Sequence, residues 1–233
     1  MKKLKIFIKG ETINLCKPTL EFARKSNWYK WLNNPKITKN LGRKYNSYIN
    51  TPKKQEKFFL AEKDKRLLLI ISTKNQIYKG VVSLSNINLK KNMCDIAILT
   101  DESIDFKNSH IASLEAIARI TEFAFKKMKI KKISGTGHIK IRNWQQRMEL
   151  LGYKLDCFKT NDYSHGKKMD DSFVISCDLS DYLSLKKIRK KYWDSKDKMT
   201  KRIKKLPKTS FKDKLFNFNN KDKLKYYRKV FSL

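Results

Sequence analysis

The chain has 233 residues, 40% of them hydrophobic and 12% aromatic, which is enough for one sizeable core with an appendage and excludes disorder throughout. Its formal net charge of +33 repels itself and draws polyanions such as nucleic acid, anionic lipid or phosphorylated ligands. Abundant Lys, Asn and Ile with few glycines is equally the mark of an AT-rich genome, so charge alone names no partner.

Cys16, Cys94, Cys157 and Cys177 lie far apart, form no CxxC pair and have only three histidines for company. That pattern argues against a zinc site or a disulfide framework and predicts reduced thiols in a cytoplasmic protein without metal. The opening segment has a short apolar stretch broken by Lys5, too short for a signal peptide. No run approaches the roughly 18 apolar residues of a membrane span.

In chain order, residues 4–8 read as a strand and Ile13–Leu15 as a second. Leu20–Leu32 reads as a helix stopped by Asn33-Asn34-Pro35, because proline disfavours helix before it. Thr51-Pro52 is an N-cap with proline in the first turn, opening a helix that ends by Asp64. Leu67–Ser72, Lys79–Leu89 and Met93–Thr100 are short apolar strands separated by polar turns, an antiparallel meander. A long helix follows at Ser109–Met128, with Ile111, Leu114, Ile117, Ala118, Thr121, Phe125 and Met128 on one buried stripe. Lys132–Thr136 is a strand, Arg142–Leu151 a helix ended by Gly152, and Tyr153–Phe158 with Ser172–Leu179 a strand pair joined by a polar loop at 160–170. Beyond Asp181 the pattern is helical and basic, with Ile188, Tyr192 and Trp193 among Lys and Arg, and Pro207 breaks it. Residues 181–233 hold 19 Lys/Arg against 5 Asp/Glu, which marks them as an aromatic-containing basic extension of a body at 1–180.

Three segments and the element order resemble the GNAT superfamily of CoA-dependent N-acyltransferases, over about residues 11–179. The first segment is Trp31-Leu32-Asn33-Asn34-Pro35-Lys36-Ile37, similar to the family's acceptor-side segment at the end of the first helix. The second is Lys79-Gly80-Val81-Val82-Ser83-Leu84 followed by Cys94-Asp95-Ile96-Ala97-Ile98, where the family carries an acidic residue near the start of its central strand. The third is Arg142-Asn143-Trp144 leading to Glu149-Leu150-Leu151-Gly152-Tyr153. The likeness is nearest the branch that acetylates ribosomal-protein N-termini or amino-sugar nucleotides. It implies an α+β fold: a mixed, mostly antiparallel sheet flanked by helices, here with the basic helical extension added.

The resemblance further implies acetyl-CoA as co-substrate and a primary amine as acceptor, an amino sugar first and a protein N-terminus second. The pantetheine arm would lie on the free strand edge at Ile98-Leu99-Thr100. The pyrophosphate would sit at Ser109-His110-Ile111-Ala112-Ser113, on the N-terminus of the long helix, where the dipole favours anions. The family has glycines in that segment. Ile111 predicts a crowded approach, with the Ser109 and Ser113 hydroxyls and His110 as substitute donors, and a plain Ser-capped helix is the other reading. Asp95 is the candidate base, directly or through water, or else an ordinary exposed strand carboxylate. Asn143 is placed near CoA by the resemblance, or is a polar residue at a helix start. The family's tyrosine acid is replaced by Met148, and Tyr153 reads as core. Trp28 and Trp31 share a helix face as core or as an acceptor-pocket wall beside Asn33. The extension could contact nucleic acid or the ribosome, or pack on the body through its aromatics. A scaffold with a degenerate donor loop that binds RNA or another polyanion is the alternative to an enzyme.

Overall fold

The structure, a computed structural model, describes residues 2–38, 41, 49–101, 109–165 and 168–206. Its strands are β1 (Ile6–Lys9), β2 (Ile13–Cys16), β3 (Leu67–Thr73), β4 (Tyr78–Asn88), β5 (Met93–Thr100), β6 (Lys132–His138), β7 (Lys154–His165) and β8 (Lys168–Asp178). They form one sheet in the order β1-β2-β3-β4-β5-β6-β8-β7. Every neighbouring pair is antiparallel except β5 with β6. The helices are α1 (Leu20–Lys25), α2 (Trp28–Trp31), α3 (Pro35–Thr38), α4 (Pro52–Glu62), α5 (Ser109–Lys127), α6 (Arg142–Glu149), α7 (Leu179–Arg189) and α8 (Lys196–Lys204). This is the mixed, mostly antiparallel α+β architecture expected from the sequence. No helix among the described residues is long and apolar enough to cross a membrane.

The two faces of the sheet carry separate cores. Ile13, Leu15, Leu69, Ile71, Val82, Leu84, Cys94, Ile96 and Ile133 pack with α5 and with Tyr153 and Phe173 on one face. Cys16, Leu68 and Ile70 pack on the other face with Phe22, Trp28 and Trp31 of α1 and α2 and Phe59 of α4. Strand alternation assigns each side chain to its face. Thr51 caps α4 as predicted, its hydroxyl accepting from the Lys54 N–H at 3.2 Å.

Four expectations are corrected. The single helix over Leu20–Leu32 is two: Ser26 leaves helical geometry with ψ 170°, and its hydroxyl accepts from the Trp28 N–H at 3.2 Å. The polar loop at 160–170 is largely strand, since β7 and β8 continue as a ribbon with partners such as Tyr163 and Asp170. Its polar residues carry no apolar alternation that would mark a strand. Helix α5 buries far more than a stripe, every residue from Ile111 to Ala118 being buried. Tyr192 and Trp193 lie between α7 and α8 rather than on a helix.

The last two corrections share a cause: the extension closes the outer side of α5. Tyr182, Tyr192, Trp193 and Met199 are all buried in the α5-side core, while Ile188 is exposed. Tyr182 stacks on Phe125 with ring centres 5.1 Å apart and on Tyr192 at 4.8 Å. The Trp193 Nε1–H donates to Glu11 Oε2 at 2.8 Å, as does the Lys196 N–H at 2.8 Å. Glu11 belongs to the β1–β2 turn, which is held from inside by the fully buried Glu115 carboxylate. Glu115 accepts from the Glu11 and Thr12 N–H groups at 2.5 and 2.7 Å and from the Thr12 hydroxyl at 2.6 Å, and pairs with Arg119 at 2.9 Å. Pro207 and Phe211, Leu215, Phe216, Phe218, Tyr226 and Tyr227 lie outside the described residues.

Trp193→Ala should therefore act as a core deletion. We expect a loss of about 3–5 kcal/mol, read as a lower urea midpoint. A change under about 0.5 kcal/mol would mean that the extension does not close the core.

Candidate active site

The parallel pairing of β5 and β6 is brief. It joins Met93 to Lys132, Cys94 to Ile133 and Asp95 to Ser134, and stops there. Both strands run on, but with their other neighbours: β5 stays on β4 through Thr100 opposite Gly80, and β6 stays on β8 through His138 opposite Ser172. The sheet thus opens as a wedge beyond Asp95, leaving the end of β5 up to Thr100 without a strand partner on that side among the described residues. A strand edge without a ladder partner presents peptide N–H and C=O groups to anything that can pair with them.

Two glycines hold the wedge open. A Cβ on Gly80 would fall 2.2 Å from the Leu99 carbonyl oxygen, so only glycine lets β4 press on the end of β5. Lys79 is the extra residue of a bulge there, Gly80 facing Ile71 and Tyr78 facing Ser72, and its carbonyl accepts from the Asp101 N–H at 2.7 Å. On the other lip, a Cβ on Gly137 would fall 2.4 Å from the tip of the Phe173 ring.

The bare edge forms one wall of a cavity of about 260 Å³ on the α2–α4 face. Trp28 and Phe58 supply aromatic walls, Leu32, Leu41, Leu68 and Val81 aliphatic ones, and Ala97, Ile98 and Leu99 the β5 side. The Ile98 side chain packs on the opposite core, so the cavity reaches the strand's main chain there. The polar lining is Asn50, Gln55, Ser83 and Arg66, the last bonded to Glu62 and stacked over Phe58 at 5.7 Å. No carboxylate lines the cavity among the described residues.

A relay of amides stiffens this wall. The Asn33 side chain donates to the Asn50 carbonyl at 2.8 Å and accepts from the Asn50 N–H at 2.6 Å. Asn50 Oδ1 accepts from the Thr51 N–H at 3.1 Å, leaving Asn50 Nδ2 to donate to Gln55 Oε1 at 2.9 Å. Asn33 is thus a support for the cavity rather than part of its lining.

The remaining candidates sort by position. Trp28 is both core and cavity wall, whereas Trp31 is core alone. Asp95 lies at the closed end of the wedge, on the cavity's face one pleat beyond Ala97, with Oδ2 accepting from Asn86 Nδ2 at 2.7 Å. Thr100 ends the bare edge beside α5, its hydroxyl oxygen 3.4 Å from that of Ser113. Ile111 is fully buried in the α5-side core. Ala112 and Ser113 are buried and His110 is half-buried. Ser109 begins the helix. Asn143 is exposed in the first turn of α6, outside the cavity lining.

Two groups can be set aside as acids or bases. Tyr153 is fully buried and bonded to the Thr121 hydroxyl at 2.7 Å, and burial pushes its phenol well above the usual range. His138, on the far lip of the wedge, has both ring nitrogens engaged: Nδ1 accepts from the Lys140 N–H at 3.1 Å, so Nε2–H donates to Asp170 at 3.1 Å. The Lys140 ammonium, then His138, hold the Asp170 carboxyl below its usual range. Burial raises the Cys94 and Cys177 thiols to about 12, which leaves both unreactive.

Gln55, Phe58, Ser83 and Arg66 were missed by sequence reasoning. Gln55 stands among Lys53, Lys54, Glu56 and Lys57, a pattern that reads as a solvated helix face.

No family model and no curated protein sequence matches the chain. Solved structures do match in fold. The Vibrio cholerae spermidine N-acetyltransferase, solved with CoA and spermine, superimposes with a TM-score of 0.64 at 14% identity, covering 74% of this chain and 98% of that one. A GNAT-family acetyltransferase from Bacillus anthracis gives 0.60 at 15% identity, over 74% and 98%. A microcin self-immunity acetyltransferase, solved with acetyl-CoA and AMP, gives 0.57 at 19% identity, over 73% and 94%. The chain has the fold of the GNAT acetyltransferases.

Gly80→Ala should displace Leu99 and so disturb the bare edge. We expect destabilisation of about 1–3 kcal/mol by chemical denaturation. Wild-type stability in this variant would show that β4 does not press on β5 as described.

Proposed function

We propose that the protein is an N-acyltransferase that moves an acyl group, acetyl in the simplest case, from a CoA thioester to a primary amine. The observation that carries this reading is the bare β5 edge, which borders a cavity on one side and ends at the start of α5.

The residues fit the donor. An amide-rich pantetheine arm can pair with Ile96–Thr100 as an added strand. Its phosphates would meet the N-terminal turn of α5 at Ser109–Ser113, where N–H groups point out of the helix and the dipole favours negative charge. The bound thioester supplies an activated carbonyl.

The protein's part is positioning, proton transfer and charge stabilisation. The cavity holds the amine so that its nitrogen meets the carbonyl carbon, which converts a bimolecular encounter into a local one. The C–N bond forms, the C–S bond breaks and the departing thiolate takes a proton from water, which offsets the one the nitrogen loses. Asp95 accepts the proton leaving nitrogen, through a water if the amine sits beside Ala97. Main-chain N–H groups of the bare edge stabilise charge on the carbonyl oxygen.

Acetyl-CoA at about 100 times its Kd should stabilise the protein by about 2.7 kcal/mol, seen as a rise in Tm. No shift at millimolar acetyl-CoA would sink the reading. Asp95→Asn should lower kcat by about 10²–10⁴, with little change in KM for acetyl-CoA. An unaltered rate would remove Asp95 from the chemistry.

A further inference from the structure

The extension turns its aromatic residues inward and its lysines outward. Residues 181–206 hold 11 Lys/Arg against three Asp. Two of those acids are spent within the fold: Asp181 pairs with Lys154, and Asp194 pairs with Arg202 at 2.6 Å and with Lys198 at 3.4 Å. The third, Asp197, is exposed in the first turn of α8. Lys187, Lys190, Lys191, Lys201, Lys204 and Lys205 are exposed, and no ion pair joins them to an acid among the described residues. In α8 the buried Met199 and the half-buried Ile203 pack on the α5-side core, which sets Lys198, Lys201 and Lys205 on the outer side as a row about 10 Å long. Lys187 stands in the last turn of α7, with Lys190 and Lys191 just beyond it. The two helices bring their cations together: burial, then the charge of Arg202, lowers the Arg189 guanidinium from its ordinary value. Cations crowded in this way repel one another until an anion joins them.

What this face lacks narrows the anion. Tyr182, Tyr192 and Trp193 are buried, so none of them can stack on the bases of a single strand. A helix that lies on a membrane needs an apolar side to enter the lipid. Met199 and Ile203 already face the body, and the exposed Leu183 and Ile188 of α7 point about 140° apart at about 100° per residue, which makes no apolar stripe. A lysine row without aromatic or apolar company suits a rigid, regular array of phosphates.

We propose that the outer face of α8 and the corner between α7 and α8 bind a duplex nucleic acid through its phosphates, without reading its bases. The face lies on the α5 side of the sheet and the cavity on the other, so a bound duplex leaves the cavity uncovered. Binding there does not depend on the transferase reading.

Fluorescence anisotropy on the full chain, with a short RNA duplex and a DNA duplex of the same sequence, tests this. Both should bind, and their ratio identifies the source of the phosphates. With about four phosphates neutralised, affinity should fall about 100-fold between about 50 and about 200 mM salt. A duplex of scrambled sequence should bind equally well. Lys201→Gln combined with Lys205→Gln should weaken binding and lower the salt slope by about two. Lys53→Gln combined with Lys57→Gln removes the same charge from the exposed side of α4, across the sheet, and should leave binding unchanged. An equal loss in both double variants would mean attraction to net charge alone and overturns the proposal. Tighter binding to a single strand, to polyglutamate or to vesicles containing phosphatidylserine overturns it too, as does no duplex binding at about 50 mM salt.

Discussion

The molecule turns on a parallel pairing that lasts three residue pairs and then stops. Parallel strands normally continue side by side while both remain extended, because every lost rung leaves two peptide groups unpaired. Here the outer neighbours outcompete the inner pairing. Gly80 keeps β5 on β4, and Gly137 lets the Phe173 ring anchor β6 to β8. The opening of the ladder is thus a consequence of closer packing elsewhere.

A wedge in a sheet needs rigid flanks, and the α5 side supplies them. With α5 buried around most of its circumference, its first turn cannot drift from Thr100. Glu115 is central to this. A fully buried carboxylate is costly unless each oxygen is satisfied, and here two main-chain N–H groups, a hydroxyl and Arg119 do so. The bonds tie α5 to the β1–β2 turn, and Glu11 on that turn ties it onward to Trp193 and Lys196. The extension is therefore joined to α5 through one continuous set of contacts. Its Tyr192 and Trp193 are spent on packing and are not available to stack on bases.

Much of this was legible in the residues. Met93–Thr100 was bounded correctly because polar turn residues flank a clean apolar alternation, and the α5 period was strong enough to set its limits within a residue. What failed did so where tertiary contact overrides local pattern. The break after α1 rests on a single Ser26 hydroxyl, which periodicity does not register. The β7–β8 tip is polar on both faces and so imitates a loop. Gln55 is the sharpest case. Its neighbours are charged, and only the meeting of Asn33 with Asn50, 17 residues apart, turns it inward.

The charge of the chain bears on the chemistry proposed for it. An amine attacks only when neutral, and near pH 7 an ordinary alkylamine is mostly protonated. A cavity without a lining carboxylate among the described residues, within a chain of net charge +33, disfavours the ammonium form. The same field draws the phosphates of a CoA thioester. One carboxylate at the closed end of the wedge, Asp95, would then be sufficient to carry the proton released on attack.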